Sequence, residues 1–332
     1  MIIYIEKQAK DYSQTKQIIE KFKNSNIIWI DNYKNLFDKK FSWSIENCFI
    51  MAKLSSDAIT DAPDWYGHNN KTSYFFKTSL NCIYNCSYCF LKWAFKNDIP
   101  VYFVNYEDIK KQIIQTIENV KKSNNLLDCY KKAIWFYSSD YSDILWMNWI
   151  SWFVEEFVPF FEQFENVMME IRTKSTAINS LLSLNFVPKN TEIAFSLNPQ
   201  ILIEKYEKWT ASLDDRINAI NTLIEKWFKV WLRFLPCLPV KNYQEIYTQF
   251  VEYIKWKINF EKISSIFVSW LLYTKEDYKN MLKKIPNLDV LYFLEDDDWI
   301  FVRETKQARK FFYELFKPLH KQSFICLDTD KI

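Results

Sequence analysis

Residues 79–93 read SLNCIYNCSYCFLKW. Cys82, Cys86 and Cys89 stand in a C-x3-C-x2-C spacing, and no fourth cysteine follows nearby. The run SYFFKTSL (73–80) reads as a strand and 105–124 as a helix, so the cysteines fall between a strand and a helix. The alternation then repeats. Strand-like KAIWFYS (132–138), VMMEIRT (167–173), TEIAFSL (191–197), FKVWLRFLP (228–236) and ISSIFVS (263–269) each precede a helical stretch. Those helices are predicted after Trp149, over 176–185, over SLDDRINAINTLIEKW (212–227), over NYQEIYTQFVEYIKW (242–256), and from residue 275 onward. Ser212 is the expected N-cap of the helix over 212–227, with acids in the first turn.

Six strands alternating with helices predict an α/β fold on a mostly parallel sheet, a partial (β/α)6 TIM-type barrel. Residues 1–70 break the alternation and read as an N-terminal extension. The barrel is expected over 71–295 and a C-terminal helical segment over 296–332. In such a barrel the site lies at the C-terminal ends of the strands. Cys82, Cys86 and Cys89 follow the first strand. Ser138, Ser139, Asp140 and Ser142 follow the second, Lys174 the third, Ser196 the fourth and Leu235–Pro236 the fifth.

Composition narrows the classes. A net charge of +2 on 332 residues gives no global basic field for nucleic acid. No apolar run approaches the ~20 residues of a membrane span. The N-terminus is charged within six residues and lacks a signal peptide's apolar region, so a cytoplasmic location is expected. Cytoplasmic thiols stay reduced, and seven cysteines fit a disulfide framework poorly. Structural zinc wants four ligands. Here the histidines are His68 and His320, and Cys48, Cys129, Cys237 and Cys326 are scattered singly. Inert buried cysteines fit poorly with the interleaved Asn81, Asn85 and Ser87. Three thiolates on a four-iron cube would leave one iron open, as a catalytic metal site requires.

C-x3-C-x2-C resembles the signature of the radical S-adenosylmethionine (SAM) enzymes. That resemblance implies a [4Fe-4S] cluster on Cys82, Cys86 and Cys89, SAM on the open iron, and a 5′-deoxyadenosyl radical that takes a hydrogen atom from substrate. Tyr88, just before the third cysteine, would lie near the adenine. A narrower likeness covers residues 62 to 316. NCIYNCSYCFLKWAFKNDIPVYFVNYEDI, FYSSDYSDIL (136–145), EIRTKS (170–175), AFSLNP (194–199) and TASLDDRINAI (210–220) resemble the spore photoproduct lyase family. Its members split a methylene-bridged thymine dimer in DNA. The resemblance implies that Ser142 meets the SAM amino group, Lys174 its carboxylate and Ser196 its ribose region. It also implies a flavodoxin- or ferredoxin-type reductant and DNA as partners.

Two positions depart from the family. Asp140 stands where the family has a hydrogen-donating cysteine, and Phe90 where it has a tyrosine proposed to relay the radical. Asp140 could instead bind the SAM ammonium, as the acidic residue after the second strand does in many radical SAM enzymes. The reading from another class is a non-catalytic, zinc-stabilised nucleic-acid-binding module.

Glycine occurs once and tryptophan 14 times. Tight turns and helix ends need positive φ, which glycine supplies. Trp227 follows the helix ending IEK, at a C′ position where glycine is wanted. Trp209 precedes Thr-Ala-Ser where the family resemblance expects glycine. Trp93, Trp152, Trp231, Trp270 and Trp299 also fall where glycine is expected, whereas Trp135 sits in an aromatic strand. A gene whose UGA codons mean glycine to its host would reconcile these positions.

Overall fold

The structure, a computed structural model, describes residues 1–38, 48–63, 66, 72–123, 133–138, 140–296 and 300–325. Ser139, Trp299, Gly67, His68, Cys129 and Cys326 lie outside them. The chain divides into two compact units. The first takes Met1–Asp64, Lys71–Ile83 and Ala94–Arg172, and the second Trp65–Asn70, Tyr84–Trp93 and Thr173–Ile332.

Within the first unit, Asn26–Ile30, Ile2–Glu6, Cys48–Ala52 and Val101–Phe103 lie side by side in that order, all parallel. Ser79–Leu80 adds antiparallel to Val101–Phe103. Parallel strands bury both faces and read as continuous apolar runs. CFIMA (48–52) does so, with all five residues buried. Ile3, Ile5, Ile18, Phe49 and Met51 form this layer's core. The stretch that breaks the alternation in sequence thus supplies three of that layer's parallel strands, while Val101–Phe103 and Ser79–Leu80 come from beyond residue 70. A second set of strands follows. Ile59–Asp61 pairs antiparallel with Ser73–Phe76, which runs parallel to Ile134–Tyr137, which runs parallel to Val167–Thr173. Phe76 packs on Phe153, Phe157 and Phe161 of the helix Phe153–Phe161.

Within the second unit, Thr191–Ser196, Lys229–Cys237, Ser265–Trp270 and Ser323–Ile325 are parallel neighbours in that order. The helices Leu213–Glu225, Tyr243–Lys257 and Lys306–Phe316 belong to this unit. Phe234 stacks on Phe316 with centroids 4.2 Å apart. Ser212 caps Leu213–Glu225, its Oγ accepting the Asp215 N–H at 3.2 Å. Phe301–Glu304 is the middle strand of a small antiparallel sheet with Tyr273–Thr274 and Leu294–Asp296.

One predicted helix shrinks. In place of 176–185 only Asn179–Leu182 is helical. The Ser175 N–H donates to Thr173 Oγ1 at 2.8 Å and the Ala177 N–H to Ser175 Oγ at 2.9 Å. Hydroxyl groups that bond nearby N–H groups offer the backbone an alternative to helix.

Six described non-glycine residues have positive φ: Asn81 (64°), Trp152 (51°), Asn166 (58°), Trp209 (71°), Trp227 (66°) and Asn242 (60°). The positive-φ expectation therefore holds at three tryptophans. It fails at others. Trp231 and Trp270 are buried in strands, and Trp93 lies in the short helix Leu91–Ala94. Trp135 is buried in its strand, as expected.

Candidate active site

The second unit holds Cys86, Tyr88 and Cys89. Asn85–Cys86 forms a two-residue antiparallel ribbon with Glu207–Lys208, Cys86 opposite Glu207. The Ser87 N–H donates to the Tyr206 carbonyl at 2.8 Å, and the Cys89 N–H to the Cys86 carbonyl at 3.2 Å. Tyr88 is buried between the two thiols in sequence. Its hydroxyl donates to Glu207 Oε1 at 2.5 Å, and its carbonyl accepts the Tyr273 hydroxyl at 2.6 Å. Burial first, then the Glu207 carboxylate, push the Tyr88 phenol well above its ordinary pKa, so it stays a donor.

Glu207 collects the ends of several elements. Asn198 Nδ2 donates to Oε1 at 3.0 Å and Arg216 Nη2 to Oε2 at 2.7 Å. Both members of this ion pair are fully buried. Burial opposes ionisation of Glu207, but Arg216, then Lys174 and the bonds from Tyr88 and Asn198, outweigh it and hold the carboxyl below its ordinary pKa. Arg216 directs its other donors to Thr210 Oγ1 (2.6 Å), the Ser196 carbonyl (2.8 Å) and the Ala211 carbonyl (3.0 Å). The Ala211 N–H donates to the Lys174 carbonyl at 3.3 Å. Lys174 and Ser196, expected to meet SAM, are therefore tied by their own backbones to the ring around Glu207.

The first unit holds Cys82, Asp140 and Ser142. Ser142 Oγ lies 2.6 Å from Ser79 Oγ. Ser138 donates to the Glu170 carbonyl through N–H (3.1 Å) and Oγ (2.7 Å). Asp143 caps the helix Ile144–Ser151 by accepting the Trp146 N–H at 3.1 Å. Asp140 is half-buried, and burial raises its pKa while Arg172 opposes the rise. Arg172 Nε lies 3.4 Å from Glu170 Oε1.

None of Cys82, Cys86 and Cys89 is in a disulfide. Among the described residues no three His, Cys, Asp or Glu side chains converge as ligands of one ion would. Each thiolate of a four-iron cube binds a different iron, so it asks for three thiols on one short loop, which this sequence supplies. The donor set fits the cluster. The residues that sequence reading missed are Glu207, Arg216 and Asn198. Asn198 and Arg216 lie inside the quoted AFSLNP and TASLDDRINAI runs, whereas Glu207 lies in neither.

The sequence profile of a family described as Spore photoproduct lyase matches residues 1–291. A spore photoproduct lyase of Clostridium acetobutylicum is 22% identical over 287 residues, covering 86% of this chain and 82% of that protein. Among solved structures, a spore photoproduct lyase mutant with bound AdoMet and dinucleoside spore photoproduct superposes with a TM-score of 0.79 at 15% identity, covering 99% of this chain and 98% of that one. A spore photoproduct lyase complexed with dinucleoside spore photoproduct gives 0.78 at 16%, covering 98% and 97%. The fold is the mixed α/β partial barrel of those proteins. By the profile match over most of its length, the chain belongs to the spore photoproduct lyase family of radical SAM enzymes.

Proposed function

We propose that this radical SAM lyase holds a [4Fe-4S] cluster on Cys82, Cys86 and Cys89 and splits a methylene-bridged pyrimidine photoproduct in DNA, with its hydrogen-return step altered. The observation that carries the reading is the C-x3-C-x2-C run inside the family match. When bound, the cluster and SAM supply one-electron cleavage of SAM and removal of a hydrogen atom from substrate.

The chain's own residues then divide the work. Lys174 neutralises the SAM carboxylate. Asp140 and Ser142 take its ammonium. Ser196 takes the ribose region, and Tyr88 shapes the loop beside the adenine. Phe90, 37% exposed, has no phenolic hydrogen to give, and a carboxylate at 140 is a poor hydrogen-atom donor. The returning hydrogen must come from elsewhere than these two positions. A flavodoxin- or ferredoxin-type reductant supplies the electron. Among the described residues no helix is long and apolar enough to cross a membrane, and the cytoplasm is the proposed location. The proposed functional segments are 1–70, 71–295 and 296–332, the middle one carrying every named site residue.

The test is anaerobic reconstitution, then incubation with SAM, a reductant and UV-irradiated spore-type DNA. Release of 5′-deoxyadenosine together with repaired thymine supports the reading. 5′-Deoxyadenosine without repair moves the substrate away from DNA photoproducts. Colourless protein holding stoichiometric zinc overturns the cluster.

A further inference from the structure

We infer that the buried pair Glu207–Arg216 is the positioning element of the cysteine loop, holding Cys86 and Tyr88 in register with Ser196 and Lys174. The inference rests on the cluster reading above, and its first readout needs no iron. The geometry is specific. Glu207 pairs with Cys86 through the backbone ribbon and with Tyr88 through its side chain, so one residue fixes the loop at two successive points. Arg216 clamps the Ser196 carbonyl, and through Ala211 the backbone reaches the Lys174 carbonyl. Asn198 extends the ring, its Oδ1 accepting the Tyr247 hydroxyl at 3.0 Å, and Tyr247 in turn accepts the Leu238 N–H at 2.8 Å. The loop, the ends of two strands and the TASLDDR segment therefore share one buried charge pair. Such a pair is strongly destabilising to break, because removing one partner strands the other. Buried networks of this kind act as units, and paired substitutions expose the coupling.

The experiment compares E207Q, Y88F and the double variant. In iron-free protein, amide exchange at Cys86–Cys89 is expected to rise about tenfold or more in E207Q, as loss of a hydrogen bond to a charged group implies. Y88F should raise it less, and the double variant should fall short of the sum. In reconstituted protein, E207Q should lower iron per chain and blunt the SAM-induced change in the EPR spectrum of the reduced cluster. Unchanged exchange at residues 86–89 in E207Q and Y88F, or strictly additive effects, overturns the inference. If E207Q fails to fold, Y88F alone decides by the same exchange measurement. A chain that binds no iron but shows the exchange pattern sinks the cluster reading and leaves the positioning role standing.

An independent observation carries a second inference. Three of the six described non-glycine residues at positive φ are asparagine, a residue that visits the left-handed region readily. The other three are tryptophan, in a chain with one glycine. Trp227 occupies C′ of a full Schellman turn. Its N–H donates to the Ile224 carbonyl, and the Phe228 N–H to the Leu223 carbonyl, both at 3.0 Å. Its ring is 81% exposed and that of Trp209 is 70% exposed, so neither position uses an aromatic face. We propose that Trp209 and Trp227 are glycine in the protein as its host makes it, through UGA codons read as glycine. Sequencing the gene and the tryptic peptides of the host-made protein decides it. UGA codons with glycine in the peptides of both positions are expected, and UGG codons or tryptophan in those peptides overturn the proposal.

Discussion

Glu207 and Asp140 are two acids, each in the field of an arginine, and their pKa values shift in opposite directions. Burial opposes ionisation at both. At Glu207 an ion pair at 2.7 Å, two side-chain hydrogen bonds and the field of Lys174 overturn that penalty. At Asp140 the field of Arg172 only reduces it. Arg172 is shared with Glu170, whose Oε1 lies 3.4 Å away. The difference teaches that an arginine alone does not stabilise a carboxylate in a protein interior; a completed set of donors does. Glu207 reads as a fixed part of the scaffold. Asp140 is the carboxylate that the proposed function pairs with the SAM ammonium.

The largest expected effect comes from the thiols beside the Glu207 ring. Cys86→Ala or Cys89→Ala should abolish the brown colour of reconstituted protein and SAM cleavage with it, while leaving the far-UV spectrum intact. Retained cluster absorbance in either variant would remove the basis for placing the chemistry next to Glu207.

The next effect is a contrast in stability. Glu207→Gln leaves Arg216 buried without its counter-charge and should cost roughly 3–5 kcal/mol. Asp140→Asn removes a carboxylate that burial disfavours and should be neutral or mildly stabilising, within about 1 kcal/mol. Urea unfolding at pH 7 measures both. Equal losses would show that the two acids are doing the same job. With SAM present the gap should narrow, because Asp140→Asn removes an ammonium partner and should weaken SAM binding about tenfold, roughly 1.4 kcal/mol, read by calorimetry on the reconstituted protein.

What the sequence made legible follows from range. The cysteine loop could be read because its spacing is local, and most strands because alternation is local. Val167–Thr173 matches its predicted span residue for residue. Ser212 was visible as a cap for the same reason. Glu207 was not. Its partner Tyr88 lies 119 residues away, and the surrounding EKWTASLDDR looks like solvated charge until the fold buries Arg216 completely. The helix expected over 176–185 failed because the hydroxyls of Thr173 and Ser175 capture N–H groups, a competition that hydrophobic pattern does not report.

A third acid sharpens the comparison through pH. Glu304 is fully buried and accepts the Leu271 N–H at 2.6 Å. Burial raises its pKa from 4.5 to about 8, against opposing backbone hydrogen bonds and the fields of Arg309 and Arg303. Cys237, Tyr247 and Tyr273 also face it, and its charge raises each of them. A group with a raised folded pKa contributes stability that is present below its unfolded value and lost as pH rises through the folded one. Glu304 and Asp140 therefore favour the acid side, and Glu207 the neutral side. Stability should decline from pH 5 toward pH 8, and Glu304→Gln should flatten that slope. A slope unchanged in E304Q would mean that another group titrates there.

The smallest effect lies within the ring itself. Trp209 sits two residues after Glu207 with φ 71°, so the scaffold beside the best-satisfied carboxylate carries a strained backbone. A left-handed conformation costs a residue with a Cβ roughly 1–2 kcal/mol. Trp209→Gly relieves that strain but adds freedom to the unfolded chain, worth about 0.4–1 kcal/mol in the other direction. The net gain should be about 0.5 kcal/mol, and Trp227→Gly should gain similarly because its C′ position and exposure match. Urea midpoints at an unchanged slope measure it. A loss in both variants would mean that the aromatic rings contribute contacts which their exposure denies. A gain in Trp209→Gly with unaltered amide exchange at Cys86–Cys89 would show that the ring around Glu207 holds the loop without help from the residue that follows it.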